Sequence, residues 1–271
     1  MLCLMLIRRK MNGNFIYKNC VLFPIAIGIC GKNNNMKNIF LLFCLLAFNS
    51  PGLHAQTKAK PADDKPQFTQ TLNQDSCVFL TMGKNNYFIL EPGYQLVLEG
   101  LDGKDSSRLV ITVLNETKLV GNVMTRVVEE NESVKGKTVE ISRNFFAYCK
   151  ENGSIYYFGE EVDLYKDGKV VGHEGGWLAT NRNKPGVEMP GLVMLGARYY
   201  QELAPEIAMD RAEVISMTEL KVTPAGTFTN CLKTEETTPL EPKEKEYKLY
   251  APGIGLIQDE NLVLVKYGFI N

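Results

Sequence analysis

Histidine is nearly absent from this chain of 271 residues, which contains only His54 and His173. A Ser-His-Asp triad and most zinc sites depend on histidine, and no G-x-S-x-G turn presents a serine nucleophile. A phosphate-binding loop and a G-x-G-x-x-G fingerprint after a strand are also missing. The sequence therefore argues against serine hydrolases, zinc enzymes and nucleotide-binding folds, and it predicts that zinc is not needed for folding.

Long apolar runs are missing as well. The two longest, residues 21–30 and 39–48, are each ten residues long, whereas a membrane-spanning helix needs about 20. Residues 36–56 (MKNIFLLFCLLAFNSPGLHAQ) combine a basic start, an apolar stretch and a small residue before a polar one, as a secretory signal does. We expect a signal peptide over residues 36–55, cleavage between Ala55 and Gln56, and a periplasmic or extracellular protein without a transmembrane span. Residues 1–35 are interpreted as an upstream extension from a misplaced start codon.

Acidic residues do not occur before residue 56, so the charge is divided unevenly along the chain. Residues 1–55 hold six Lys and Arg, and the remainder holds 24 Lys and Arg against all 31 Asp and Glu. An acidic surface repels the phosphates of nucleic acids. Nucleic acid is therefore not an expected partner.

Cysteines are few beyond the predicted cleavage point, namely Cys77, Cys149 and Cys231. No two of them have the C-x-x-C spacing of a zinc knuckle or a thioredoxin-like motif. Three thiols allow at most one internal disulfide, and the sequence leaves its pairing open. We interpret all three as small buried hydrophobic residues, which is the usual role of free cysteine.

Short runs rich in Val, Ile, Thr, Tyr and Phe dominate the chain after residue 75, as in residues 108–114 and 138–148. Three turns of the Asp-Gly or Asn-Gly type separate such runs, at residues 102–103, 152–153 and 167–168, and these dipeptides favour β-hairpins. The pattern predicts a single all-β domain over residues 75–271, built from a strongly curved antiparallel sheet or an open barrel. The alternative is a two-sheet sandwich, and residues 56–74 are expected to form a flexible lead-in.

Residues 172–197 differ from the rest because they contain six glycines and two prolines. A long segment without regular structure is often functional, so we expect a binding loop here. Aromatic and charged side chains in such a loop can hold a glycan or an apolar ligand. The candidate ligand-binding residues are Trp177, His173, Glu174, Arg182 and Glu188. The alternatives are that Trp177 closes one end of the core and that His173 is an ordinary exposed loop residue.

Three carboxylates lie close together in sequence, at Glu160, Glu161 and Asp163. Clustered carboxylate oxygens can bind calcium, and a carboxyl pair can hydrolyse a glycoside. Strand alternation places Glu161 and Asp163 on the same face, which also suits a simple solvated face. Calcium is therefore the one cofactor that the sequence leaves open.

Several motifs together resemble a family of exported bacterial β-rich proteins of unknown function. They are found at residues 87–94 (YFILEPGY), 145–147 (FFA), 153–160 (GSIYYFGE), 185–190 (PGVEMP), 200–202 (YQE), 223–228 (TPAGTF) and 250–256 (YAPGIGL). The resemblance implies an antiparallel sheet protein and supplies no catalytic residues. This chain departs from the family pattern at Cys149-Lys150, where an acidic residue before the turn is usual, and at Glu206, where the family has glycine.

Taken together, these features predict an exported, non-enzymatic β domain that binds an apolar or glycan ligand. Two alternatives stay open, namely a carboxylate-dependent glycan hydrolase and a structural protein of the cell envelope. An apolar cavity would favour binding, convergent carboxylates would favour hydrolysis, and a solid interior would favour a structural role.

Overall fold

The computed structural model describes residues 67–270, so the predicted signal peptide and upstream extension lie outside the described residues. This part of the chain is nearly all β, with one short 3-10 helix at Gln74–Ser76, and no helix in it has the length and apolarity to cross a membrane. The strands are β1 Phe79–Leu80, β2 Gly83–Lys84, β3 Ile89–Leu90, β4 Tyr94–Asp102, β5 Asp105–Val120, β6 Val123–Val134, β7 Lys137–Cys149, β8 Ile155–Lys166, β9 Lys169–Gly172, β10 Trp177–Leu178, β11 Lys184–Met189, β12 Arg198–Tyr200, β13 Glu202–Leu203, β14 Arg211–Thr223, β15 Gly226–Thr237, β16 Glu246–Ala251, β17 Gly255–Asp259 and β18 Leu262–Phe269.

One antiparallel sheet contains all of these strands except β2 and β3, which pair with each other. Its main path runs β12-β14-β15-β16-β17-β18-β4-β5-β6-β7-β8-β11-β13, and β1, β9 and β10 pair onto β7 or β8. The two ends of the path, β12 and β13, are separated in sequence by Gln201 alone, so the sheet nearly closes on itself. This arrangement confirms the predicted all-β, strongly curved, barrel-like fold and not the sandwich alternative.

Turn chemistry explains why the hairpins form where the sequence predicts them. Between β8 and β9 the connection is only Asp167 and Gly168, with φ of 51° and 74°. Both central residues of a type I′ turn need positive φ, which Asp tolerates and Gly adopts freely. The predicted hairpin is therefore confirmed at this position.

The glycine-rich segment 172–197 is interrupted by two strands, so it is not the single loop that its composition predicts. It contains β10 and β11, which both pair with β8, and β11 also pairs with β13. Gly186 explains the difference, because a Cβ at this position would lie 2.0 Å from the Gln201 carbonyl oxygen. The glycine allows two strands to approach closely and does not mark a loop.

Two of the three cysteines are bonded to each other, which corrects the interpretation of all three as free. Cys77 and Cys149 form a disulfide with a Cα–Cα distance of 5.2 Å. Cys231 alone keeps the predicted role, because its thiol is free and fully buried. The pairing fastens the segment that precedes β1 to the end of β7.

The described part of the predicted lead-in contacts the sheet. Thr69 forms a β-bridge with Tyr199, and the Phe68 ring lies 4.0 Å from the guanidinium carbon of Arg198 and 4.4 Å from that of Arg211. Such cation–π contacts favour a fixed position for the aromatic ring. Regular contacts with the barrel therefore begin before residue 75.

Candidate functional site

An open cleft of about 810 Å³ lies where the 173–183 segment crosses the outer face of β7 and β8. We call it the outer cleft. Ile141, Leu178 and Ile207 supply its apolar surface. Six of the eight predicted site residues border this cleft. Glu161, Asp163, His173 and Arg182 do so with exposed or half-buried side chains, whereas Glu160 and Trp177 are buried. The other polar residues of the lining are Arg143, Thr180, Asn181 and Asn183.

The exposed charged and polar side chains of the outer cleft contact one another or neighbouring groups in pairs. His173 Nδ1 lies 2.8 Å from Asp163 Oδ1, and Arg182 donates hydrogen bonds to Glu206 Oε2 at 3.1 Å and to the Pro205 carbonyl at 3.2 Å. Further pairs join Lys118 to Glu161 and Arg143 to Glu116. Exposed pairs of this kind contribute little to stability. These side chains can therefore leave their present partners and bind a ligand with little loss of free energy.

Trp177 contributes little exposed surface to the outer cleft, because its side chain is 4% exposed. Its ring packs edge-on against Tyr157 at a centroid distance of 5.4 Å, and its Nε1 donates to Glu202 Oε1 at 3.4 Å. The alternative in which Trp177 closes the core matches this geometry. Stacking of the Trp177 ring on a bound sugar does not.

The structure does not bring Glu160, Glu161 and Asp163 together as one ligand set. Glu161 is exposed and Asp163 is half-buried on the outer face, whereas Glu160 is 1% exposed and lies opposite the buried Asn144. Successive strand residues point to opposite faces, so Glu160 and Glu161 point apart. Among the described residues, the only cluster with the spacing of a metal-binding site consists of Glu151, Cys77 and Cys149. The two cysteine sulfurs are bonded to each other in the disulfide.

Glu174 and Glu188, the remaining two predicted residues, lie outside the outer cleft. Glu174 is exposed, with its carboxylate beside Gly172, and it does not line the cleft. Glu188 is 5% exposed and faces the inside of the barrel. The sequence predicts Glu188 in a binding loop, whereas the structure places it in β11 with its side chain inside the barrel.

The inside of the barrel holds a set of buried charges that the sequence analysis missed. Seven carboxylates and one ammonium are less than 9% exposed, and we call them the acidic interior: Glu130, Glu140, Glu160, Glu188, Glu202, Glu236, Asp259 and Lys248. Strand alternation places them there. In the first part of β7 the buried residues Glu140, Ser142 and Asn144 alternate with partly exposed ones, and Thr234 and Glu236 continue the buried face of β15. A polar residue at a strand position that alternation assigns to the buried face is the pattern that could have predicted these buried charges.

Burial controls the protonation of this set. Burial raises the pKa of Glu188 to about 8, and Glu236 contributes to the shift. Burial also raises the pKa of Glu160 to about 8 and raises the pKa values of Glu130 and Glu202. For Lys248, burial acts to lower the pKa, but the charges of Glu236 and Asp259 outweigh it and hold the pKa well above its ordinary value. The ammonium is therefore charged, whereas Glu160 and Glu188, with pKa values of about 8, are mostly protonated at neutral pH.

We expect the protein to lose stability as the pH rises. Glu188 has an ordinary pKa of 4.5 and a folded-state pKa of about 8, so between these values the folded state holds a proton that the unfolded state has released. The free energy of unfolding then falls with increasing pH, by up to about 1.4 kcal/mol per pH unit for one such group. Urea unfolding at about pH 5.5 and 7.5 measures the slope. Glu188→Gln should flatten it, and stability that increases with pH across this window would contradict the prediction.

Comparisons with known proteins add no relative to this description. No protein-family model, no curated protein and no solved structure matches the chain. The functional argument therefore depends on the geometry of the outer cleft and of the acidic interior.

Proposed function

We propose that this is an exported, non-enzymatic protein that binds a glycan in the outer cleft. The observation that carries the proposal is the cleft itself. Its volume of about 810 Å³ lies within the range typical of small-ligand sites, roughly 300–1,000 Å³. An apolar ligand is less well supported, since the apolar cavity inside the barrel measures only about 50 Å³.

The chemistry of the lining suits a sugar. Carboxylates accept hydrogen bonds from hydroxyl groups, guanidinium groups donate to them, and carboxamides do both. The outer cleft offers Asp163, Arg182 and Asn181 in these three roles, while Leu178 and Ile207 provide surface for the apolar face of a sugar ring. Asn183 is already engaged, because its Nδ2 donates to the Leu178 carbonyl at 3.1 Å.

The disulfide supports export. Disulfides persist mainly in secreted, periplasmic and cell-surface proteins, where the surroundings are oxidising. The Cys77–Cys149 bond agrees with the signal peptide predicted at residues 36–55.

Within the outer cleft, binding is better supported than hydrolysis. A glycosidase needs a protonated carboxyl and a second carboxylate on either side of the scissile bond. Glu160 has the raised pKa of such an acid, but its side chain is buried on the face of β8 opposite Glu161 and Asp163. The pair is therefore divided by the sheet.

Glycan-array screening followed by calorimetry tests the proposal. We expect a retained glycan to lose at least about tenfold in affinity when Asn181→Ala and Arg182→Ala are combined, because three or more hydrogen bonds are removed. Asn261→Ala, in an exposed turn between β17 and β18, is the matched control and should bind normally. No retained glycan, or an equal loss in the control, contradicts the proposal. Release of reducing sugar ends would favour the hydrolase alternative.

A further inference from the structure

A second site lies inside the barrel, apart from the outer cleft. It is a cavity of about 50 Å³, which we call the aromatic cavity. The five aromatic residues that line it are Tyr87, Phe88, Tyr94, Phe146 and Tyr250. All of them except Phe88 are less than 9% exposed. Phe88 and Phe146 meet edge to face with their centroids 5.3 Å apart. One wall is formed by two turns, which are joined where Gly253 N–H donates to the Asn86 carbonyl at 2.7 Å.

Two carboxylates, those of Glu130 and Glu188, line the same cavity. They are 8% and 5% exposed, so both are more than nine-tenths buried. Neither carboxylate accepts a hydrogen bond or joins an ion pair with any residue in the range 67–270. A buried carboxyl group without a partner is costly. A cavity that keeps two of them beside its aromatic walls is therefore suited to a cation.

The nearest buried ammonium does not fill this role. Lys248 Nζ is 2.8 Å from Glu236 Oε2, and β16 and β17 place Lys248 opposite Asp259. Glu236 also accepts hydrogen bonds from Thr234, Gln201 and Tyr250 at 3.2–3.5 Å. Lys248 thus makes its close ion pair with Glu236, and its charge also acts to lower the pKa values of Glu130 and Glu188.

We infer that the aromatic cavity binds a small alkylammonium cation between its aromatic rings and the carboxylates of Glu130 and Glu188. Aromatic faces attract cations, and cages of aromatic rings recognise alkylated ammonium groups in particular. The volume has room for roughly three or four water molecules, which limits the ligand to a few heavy atoms. Calcium fits less well because it takes six to eight oxygen ligands, whereas this cavity has mainly carbon walls.

Thermal unfolding and calorimetry with defined probes test the inference. Methylammonium and tetramethylammonium chloride are compared with sodium chloride at equal ionic strength, with tert-butanol as the uncharged analogue and with calcium chloride. We expect at least one of the two ammonium salts to raise the melting temperature, and the other three solutes to leave it unchanged. No effect of either ammonium salt, an equal effect of tert-butanol, or stabilisation by calcium alone would overturn the inference.

A pair of variants locates the site. At about pH 9, where the carboxyl of Glu188 is ionised, Glu188→Gln keeps the size of the side chain and removes its charge, so it should weaken ammonium binding by at least about tenfold. Glu161→Gln changes an exposed glutamate of the outer cleft and should bind the cation normally. An equal loss in both variants, or none in Glu188→Gln, would overturn the inference.

The wild-type protein offers a measurement that needs no variant to fold. Tetramethylammonium does not titrate, whereas Glu188 has a raised pKa and must release its proton to pair with a cation. Its titratable neighbours are Glu130, Glu236, Lys248, Tyr157, Tyr199 and Tyr250. Lys248 and the three tyrosines have pKa values raised well above their ordinary ones. Binding should therefore tighten between about pH 6 and about pH 9 and release protons in calorimetry. Binding that is independent of pH would count against the proposed pairing.

Discussion

Lys248→Met should lower the free energy of unfolding by about 3–5 kcal/mol, because it leaves a buried carboxylate without its cation. Lys248 is 1% exposed and is the one buried lysine of the described chain. Its Nζ lies 2.8 Å from Glu236 Oε2, and both side chains are surrounded by the barrel wall. Methionine matches the length of the lysine stem, so the loss reports mainly on the charge. Urea unfolding monitored by circular dichroism measures the change.

Two further variants separate the effect of charge from a general effect of substitution. Lys169→Met, in the exposed hairpin between β8 and β9, should change stability by less than about 0.5 kcal/mol. The double variant Lys248→Met with Glu236→Gln should recover much of the loss, since the unpaired carboxylate is then removed as well. A cost below about 1 kcal/mol for Lys248→Met alone would show that the ammonium is not compensating buried charge.

Removal of the disulfide should have an effect of similar size. Cys77 and Cys149 are 72 residues apart, and closing a loop of that length lowers the entropy of the unfolded chain by an amount equivalent to about 4 kcal/mol. We expect the double variant Cys77→Ala with Cys149→Ala to lose stability of this order. The wild-type protein should lose the same amount when it is unfolded in the presence of a reducing agent.

Cys231→Ala is the matched control, because Cys231 is the free, buried thiol. It should cost little more than the loss of one small buried group. The reducing agent should have the same effect on this variant as on the wild-type protein, because both contain the Cys77–Cys149 bond. If the oxidised and reduced wild-type proteins unfold at the same urea concentration, the bond does not stabilise the fold.

The fold was predictable because its evidence is local. Asp167-Gly168 forms the hairpin turn that its dipeptide favours, and the β-branched runs form long strands such as β5 and β7. The prediction was wrong at 172–197, because glycine occurs both in loops and where strands approach closely. Gly186 lets strands meet at close range, and composition alone does not distinguish this use from a loop.

The candidate sites were predictable only in part. Six of the eight predicted residues line the outer cleft, because neighbours along β8 and the following segment stay neighbours in space. The side on which each lies was not predictable for Glu160, Trp177 or Glu188. Bulges interrupt the pairing of β8 with β7 beside Glu160 and with β11 at Glu188, and a bulge changes the face that a residue presents. Trp177 lies opposite Glu160 in the pairing of β10 with β8.

The sequence by itself determined the class of fold and the hairpins, because turn preference, strand period and composition act over a few residues. Only the tertiary structure decided the Cys77–Cys149 pairing, the Lys248–Glu236 ion pair and the placement of Glu130 beside Glu188. These contacts join distant strands, since closing the sheet into a barrel directs alternate residues of every strand toward one interior. Residues that read as ordinary surface charges in sequence are thereby gathered into a buried set.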